Sequence, residues 1–190
     1  MQIAVIIPVK SFGLAKGRLA DTLSPVERAG LSQRCAEQVV RAAAPWPVYV
    51  VCADDEIAGW ASSHGARAVL CATPGLDVAV AAGRQAAITD GCDHIVVAHA
   101  DLPLARSFAH IPRDNAVSLV PDRHRDGTNV LSFPAHSPMT TAYGPGSCDN
   151  HIALAHAAGL AVEIIDDVDL ALDLDTADDL RELQTRQSGD

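Results

Sequence analysis

The chain has 190 residues, of which 48% are hydrophobic but only 4% aromatic, and its formal net charge is −10. This length fits one domain with an aliphatic core, and the acidic charge argues against a nucleic-acid partner. No segment approaches the roughly 20 apolar residues of a membrane span, and the N-terminus lacks the pattern of a secretory signal. The five cysteines form no CxxC motif, which is typical of buried thiols in a reducing compartment. We therefore expect one cytoplasmic domain over 1–190, with no membrane contact and a frayed tail at about 185–190.

Short apolar runs alternate along the chain with segments of helical periodicity. The runs predicted to be strands are 3–9, 48–52, 67–70, 94–100, 116–121, 129–134, 161–165 and 169–174. Helices are predicted over 24–44, about 54–65, about 76–90, 148–160 and after Thr176. Ser24 with Glu27, and Thr176 with Asp179, have the spacing of a helix capping box. Such alternation predicts an α/β fold with a mostly parallel sheet and helices on both faces.

Three aspartates follow or end predicted strands. Asp173 and Asp175 would lie on one face of the last strand, roughly 6.5 Å apart. Two charges at that distance repel by about 2–3 kcal/mol at an effective dielectric of about 20. Asp101 directly follows the strand 94–100, and ligands bind such sheets beyond the carboxyl ends of the strands. Oxygen ligands alone suit Mg²⁺, and three carboxylates could hold two ions, although solvated acidic strand ends are equally compatible with the pattern.

The loop after the first strand is basic and contains glycine. It carries Lys10, Lys16 and Arg18 together with Gly13 and Gly17. Glycine lets backbone N–H groups approach phosphate oxygens, which lysine and arginine neutralise. The spacing matches neither a Walker A loop nor GxGxxG, so a plain solvated loop explains it equally well. Truncation of Lys16 in this glycine-containing loop is expected to cost little stability.

Two further clusters, GTN at 127–129 and GPGS at 144–147, are rich in small residues. Such clusters are usually turns, but they also offer hydroxyl and N–H groups to a small anion. The sequence contains no GxSxG nucleophile elbow. A reaction whose nucleophile is already an anion, such as a phosphate, requires no protein base, and this agrees with the lack of a candidate base.

Several motifs of the chain occur together in a known family. The segments, in chain order, are IPVKSFGLAKGRL, HADLPLA, DRHRDGTNVL, YGPGS and LDLDTADDL. In this order, over nearly the whole chain, they resemble the 2-phospho-L-lactate/phosphoenolpyruvate guanylyltransferases of deazaflavin coenzyme (F-420) biosynthesis. The resemblance implies a single-domain, Rossmann-like nucleotidyltransferase fold of the nucleoside-diphosphosugar transferase type. It also implies a reaction that joins GTP to a small phosphorylated carboxylic acid and releases pyrophosphate.

The resemblance further implies roles for individual residues. Mg²⁺, as two ions, would be held by Asp101, Asp173 and Asp175. The carboxylate and phosphate of the acceptor acid would be bound by Thr128, Gly144 and Ser147. The nucleotide would be contacted by Lys10, Lys16, Arg18 and Asp77, the last at a position where many relatives carry asparagine. The catalytic residues would be Lys16, Arg18 and Asp101.

We therefore predict a Mg²⁺-dependent guanylyltransferase that acts on phosphoenolpyruvate. The same motifs are compatible with the same reaction on 2-phospho-L-lactate or 3-phosphoglycerate. A sugar or molybdenum-cofactor nucleotidyltransferase and a non-catalytic nucleotide-binding module are more distant rivals. Such sugar and molybdenum-cofactor enzymes usually show a G-x-G-x-R-x-G-x-x-K loop, which SFGLAKGRL does not fit. Neither the nucleobase nor the oligomeric state follows from the sequence.

Overall fold

The computed structural model describes residues 1–188, which form a seven-stranded sheet and five α-helices. The strands are β1 (Ile3–Pro8), β2 (Val48–Cys52), β3 (Arg67–Leu70), β4 (His94–Ala98), β5 (Ala116–Pro121), β6 (Thr128–Pro134) and β7 (Ala161–Ile164). The helices are α1 (Pro25–Ala42), α2 (Asp55–Ser63), α3 (Leu76–Thr89), α4 (Ser147–Ala157) and α5 (Ala177–Ser188). Two short 3₁₀ turns, Phe12–Leu14 and Gly17–Leu19, follow β1.

The strands are arranged in the order β3-β2-β1-β4-β6-β5-β7. Neighbours are parallel throughout the β3-β2-β1-β4 half and again between β5 and β7. Strand β6 is antiparallel to both of its neighbours, β4 and β5. The predicted mostly parallel α/β sheet is therefore confirmed, and the carboxyl ends of β1 and β4 lie side by side at one edge.

Both faces of the sheet are covered by helices, as the apolar strands require. In β1, Val5 and Ile7 belong to the core cluster that includes α1 and α2. Ala4 and Ile6 belong to the cluster on the opposite face, which includes α3 and α4. Because successive side chains of a strand point to opposite faces, an uninterrupted apolar run such as IAVIIP serves both cores at once.

The two predicted capping boxes begin their helices. The Ser24 hydroxyl accepts a hydrogen bond from the Glu27 backbone N–H (3.4 Å), and the Glu27 carboxylate accepts one from the Ser24 N–H (2.8 Å). Thr176 and Asp179 make the same reciprocal pair at 3.3 and 2.7 Å. Each pair satisfies backbone donors that the first turn of a helix leaves without a partner.

The predicted strand over 169–174 is wrong. Residues 168–171 form a turn, residues 172–175 have no regular secondary structure, and no strand of the described residues pairs with the segment. The alternation that suggested a strand is real, since Leu170, Leu172 and Leu174 are all buried. Alternating burial requires only an extended backbone, whereas a strand also requires a ladder partner. The Leu174 N–H instead donates to the Asp101 carbonyl (3.1 Å), which ties this segment to the end of β4.

The C-terminal end of the chain is helical as far as the structure describes it. Residues 185–188 of the predicted frayed tail form the last part of α5, and residues 189 and 190 lie outside the described residues. Among residues 1–188, no helix combines the length and the apolar character that crossing a bilayer demands.

Helix α3 packs against the sheet through Gly83. A Cβ atom at this position would lie 2.6 Å from Cγ2 of Ile6 and 2.9 Å from Cγ2 of Val51. Gly83→Ala should therefore overpack the core and lower the free energy of unfolding by about 1–3 kcal/mol. Gly59 of α2 is the matched control, because its Cβ would meet open space and alanine there should stabilise the helix by about 0.5–1 kcal/mol. Urea unfolding of both variants measures the difference. If Gly83→Ala is as stable as Gly59→Ala, the close approach is not a constraint.

Candidate active site

Three carboxylates meet beyond the end of β4. One oxygen atom from each of Asp101, Asp173 and Asp175 lies within 4.8 Å of the others; we call these residues the carboxylate cluster. Asp101 follows β4, and the other two lie in the extended segment before α5. Asn129 at the start of β6 donates to the Asp173 carboxylate (3.3 Å) and to the Leu170 carbonyl (3.0 Å). The structure thus brings together the three residues that the sequence had suggested as metal ligands.

The ammonium group of Lys16 lies against this cluster. Its Nζ is 2.6 Å from Oδ2 of Asp101 and 3.2 Å from Oδ1 of Asp175. The side chain is only 5% exposed. The backbone of Lys16 is left-handed, with φ of 61°, a conformation that non-glycine residues adopt at some cost. A plain solvated loop therefore does not describe this residue, because the chain turns inward to pair the lysine with two carboxylates.

The pKa values within the cluster follow from burial and charge. Burial lowers the pKa of Lys16, but the two carboxylates raise it more, so the ammonium form is favoured. Burial raises the pKa of Asp101, but Lys16 outweighs it, and the net pKa is below its ordinary value. For Asp173, burial and then the charge of Asp101 raise the pKa, and the net shift is upward. One ammonium group therefore does not neutralise the cluster.

A divalent cation fits this imbalance. Oδ1 of Asp101 is buried and has no hydrogen-bond partner in the described part of the chain. The three side chains offer hard oxygen ligands, which Mg²⁺ prefers to bind alongside water and phosphate. An unpartnered buried carboxylate oxygen is costly in a protein, and a bound cation would remove that cost. The donor set therefore suits a metal ion such as Mg²⁺.

A cavity of about 360 Å³ opens beside the cluster. Its lining includes Lys10, Lys16, His99, Asp101 and Asp175. Of the residues expected to contact a nucleotide, Lys10 and Lys16 therefore face this cavity.

Two other expected nucleotide contacts lie elsewhere. Arg18 is exposed in the second 3₁₀ turn and is not part of the cavity lining. Asp77, at the start of α3, is also outside that lining. Its Oδ1 accepts a hydrogen bond from the Tyr143 backbone N–H (3.0 Å). This carboxylate thus positions the loop that leads into α4.

The residues expected to bind an acceptor form a second group, Thr128, Gly144 and Ser147. The Ser147 N–H donates to the Gly144 carbonyl (3.1 Å), and Ser147 begins α4 just as Thr128 begins β6. A hydrogen bond from the Cys148 N–H to the Asp126 carbonyl (3.0 Å) holds the two element ends together. Thr128 and Ser147 are both buried, at 1% and 2% exposed.

An aromatic row joins the cavity to this second group, and the sequence reasoning missed it. The ring centroids of His99 and Tyr143 are 5.5 Å apart, and those of Tyr143 and His151 are 4.7 Å apart. His151 contacts Thr128 through a 3.0 Å hydrogen bond. Nε2 of His99 and Oη of Tyr143 are buried without a partner among residues 1–188. One signal was available, because His151 lies one helical turn after Ser147 and shares its helix face.

Comparison with known sequences identifies the relatives of the chain. It matches the family described as "Guanylyl transferase CofC like" over residues 3–190. A phosphoenolpyruvate guanylyltransferase of Sphaerobacter thermophilus is 34% identical, over 96% of this chain and 93% of that protein. A 2-phospho-L-lactate guanylyltransferase of Methanothermobacter thermautotrophicus is 33% identical, over 96% of this chain and 84% of that protein.

A solved structure shares the fold. A nucleotidyl transferase from Methanothermobacter superposes with a TM-score of 0.65 at 16% identity, covering 97% of each chain. At this identity the likeness concerns the fold alone. The fold expected from the sequence motifs is confirmed.

The buried position of Lys16 changes the expected effect of its removal. Lys16→Met should lower the free energy of unfolding by about 3 kcal/mol at pH 7, because it leaves a buried carboxylate unpaired. The difference from wild type should shrink below about pH 4, since the lowered pKa of Asp101 stabilises the fold only while that group is ionised. Urea titrations across this pH range provide the measurement. Lys10→Met, at an exposed residue of the same cavity, should change stability by less than about 0.5 kcal/mol. If Lys16→Met and Lys10→Met are equally stable, the ion pairs of Lys16 do not stabilise the fold.

Proposed function

The chain belongs to the Guanylyl transferase CofC like family and is a nucleotidyltransferase, and on that basis we propose that it joins GTP to phosphoenolpyruvate with the help of Mg²⁺. The products are enolpyruvyl-diphospho-guanosine and pyrophosphate. The resemblance of the sequence motifs would place this reaction in deazaflavin coenzyme F-420 biosynthesis.

The observation that carries the proposal is the convergence of the carboxylate cluster beside the cavity. One oxygen from each of Asp101, Asp173 and Asp175 lies within 4.8 Å of the others, and Lys10 and His99 line the same cavity as Asp101 and Asp175. Ligands in sheets of this kind bind beyond the carboxyl ends of the strands. A nucleoside triphosphate with its metal ions fits an acidic cluster and basic residues placed together.

The reaction is an in-line displacement at phosphorus. A phosphate oxygen of the acceptor forms a bond to the α-phosphorus of GTP while the bond from that phosphorus to the pyrophosphate oxygen breaks. Because the attacking oxygen is already anionic, no proton has to be removed by the protein. When bound, Mg²⁺ would supply positive charge to the phosphate oxygens around the reacting phosphorus.

In the proposed reaction, residues of the chain bind and orient the substrates and neutralise their charge. The carboxylate cluster would hold Mg²⁺ through its oxygens, as the unpartnered Oδ1 of Asp101 supports. Lys10 makes no ion pair within residues 1–188 and faces the cavity, which suits it to contact phosphate. Lys16 keeps the carboxylate cluster compact through its two ion pairs. Arg18 and Asp77 lie outside the cavity lining, so each would have to contact a part of the nucleotide that extends beyond the cavity.

The acceptor acid would bind at Thr128, Gly144 and Ser147. Hydroxyl and backbone N–H groups can donate to both a carboxylate and a phosphate, and the start of α4 favours an anion. Relatives named for phosphoenolpyruvate and for 2-phospho-L-lactate are 34% and 33% identical, so identity alone does not choose the acid. We favour phosphoenolpyruvate because further relatives, at 31% to 35% identity, are also named for that acid.

Removal of one cluster charge tests the metal role. Asp175→Asn should lower turnover in Mg²⁺ by about 100-fold or more, the scale for loss of one charge-stabilising group. Its side chain is 47% exposed, so the melting temperature should change little. Pyrophosphate release measures turnover, and calorimetric titration with Mg²⁺ measures binding. Asp166→Asn, at an 80% exposed carboxylate outside the cavity lining, is the control. Normal turnover and Mg²⁺ affinity in Asp175→Asn would refute the metal assignment.

The acceptor is tested by direct competition among acids. Phosphoenolpyruvate is planar at its central carbon, 2-phospho-L-lactate is tetrahedral there, and 3-phosphoglycerate moves the phosphate by one carbon. A site shaped for the planar acid should prefer it by about 10- to 200-fold in kcat/KM. Pyrophosphate release with GTP and each acid in turn gives the three values. A higher value for either rival changes the substrate and leaves the guanylyltransferase reaction in place.

A further inference from the structure

Both ring nitrogens of His151 are occupied in a fully buried setting. The side chain is 0% exposed on α4. The Ala142 backbone N–H lies 3.1 Å from Nε2, and Oγ1 of Thr128 lies 3.0 Å from Nδ1. Tyr143 packs edge-to-face against the ring at 4.7 Å, and this contact holds the imidazole plane in place.

These two contacts determine the tautomer of the ring. A backbone N–H can only donate, so Nε2 must present its lone pair to Ala142. Burial lowers the pKa of His151 to about 4, and the neutral ring therefore carries its single proton on Nδ1 near neutral pH. That proton is donated to Oγ1 of Thr128.

The direction of the Thr128 hydroxyl follows. Because Oγ1 accepts from His151, its own proton must point elsewhere. Within residues 1–188, Thr128 Oγ1 has no second hydrogen-bond partner, and a buried hydroxyl proton without an acceptor is unfavourable. With the opposite tautomer, Thr128 would donate its proton to Nδ1 and have none left for a ligand.

We infer that His151 is a positioning residue for the acceptor acid: it holds the Thr128 hydroxyl as a hydrogen-bond donor directed at a carboxylate or phosphate oxygen of that acid. The inference rests on the proposed function, which places the acceptor at Thr128. His151 contributes in a second way, since its Nε2 anchors Ala142 at the start of the loop that carries Gly144.

Two substitutions test the contributions of the two ring nitrogens separately. The side-chain amide of asparagine can place an N–H donor near the position of Nδ1, so His151→Asn keeps the donor to Thr128. Glutamine reaches the position of Nε2, so His151→Gln keeps a hydrogen-bond acceptor for the Ala142 N–H and loses the hydrogen-bond donor to Thr128. His151→Gln should raise KM for phosphoenolpyruvate by about 10-fold or more, as expected for a weakened hydrogen bond to an anion. KM for GTP should stay within about 2-fold. KM for phosphoenolpyruvate should be lower in His151→Asn than in His151→Gln, because asparagine keeps the donor to Thr128 although it loses the anchor of Ala142.

A double-mutant cycle with Thr128→Val tests whether His151 acts through the hydroxyl. If it does, His151→Gln should raise the acceptor KM no further in the Thr128→Val background. If the effects of His151→Gln and Thr128→Val on the KM for phosphoenolpyruvate multiply, His151 is a general structural residue and the inference is overturned. The same holds if His151→Gln raises the KM for phosphoenolpyruvate and the KM for GTP equally. Thermal unfolding of every variant identifies any that do not fold.

A readout independent of activity completes the test. Nitrogen NMR of the labelled wild-type protein should show His151 protonated on Nδ1 and not on Nε2 at pH 7. The reverse tautomer would overturn the inference even if the kinetics agreed. Wild-type protein that releases no pyrophosphate with any of the three acids would overturn the proposed function, and this inference with it. An active wild type with a purely additive cycle would overturn this inference alone.

Discussion

Electrostatic repulsion within the carboxylate cluster constrains which side chains can surround it. Oxygens of Asp101, Asp173 and Asp175 lie within 4.8 Å of one another, and two unit charges at that separation repel by about 3 kcal/mol at an effective dielectric of about 20. The fold sustains this repulsion because the ammonium group of Lys16 and the amide of Asn129 compensate it in part. The charge that remains on the cluster is negative, so the arrangement suits a bound cation.

The carboxylate cluster and the group around Thr128 and Ser147 differ in their electrostatics. The cluster is charged and partly exposed, with Lys10 and Lys16 beside it in the cavity. The region around Thr128 and Ser147 is buried and contains neutral donors. In the proposed function, bound Mg²⁺ and Lys10 would supply positive charge to the phosphates beside the cluster, and the hydroxyl and N–H groups around Thr128 would bind the acceptor acid. Burial lowers the pKa of His151, so the role that we infer for this neutral ring is to direct a hydrogen bond and not to supply charge.

Much of the fold could be predicted because buried strands and amphipathic helices have periodicities that the sequence displays directly. Seven of the eight predicted strands are present within a residue or two of their predicted ends. The eighth, 169–174, failed because Leu170, Leu172 and Leu174 alternate in burial without a ladder partner. Periodicity reports which side chains are buried, but it does not report whether a neighbouring strand is available to accept backbone hydrogen bonds.

The sequence by itself determined the α/β alternation, the two capping boxes and the set of acidic and basic residues, because each depends on neighbours in the chain. Only the tertiary structure decided that Lys16 turns inward to the cluster, that Asp77 holds the backbone of Tyr143, and that His151 meets Thr128. These contacts join residues that lie 23 to 159 positions apart. Distances across the chain follow from the order of strands in the sheet and the packing of helices on it, and no local pattern of residues encodes them.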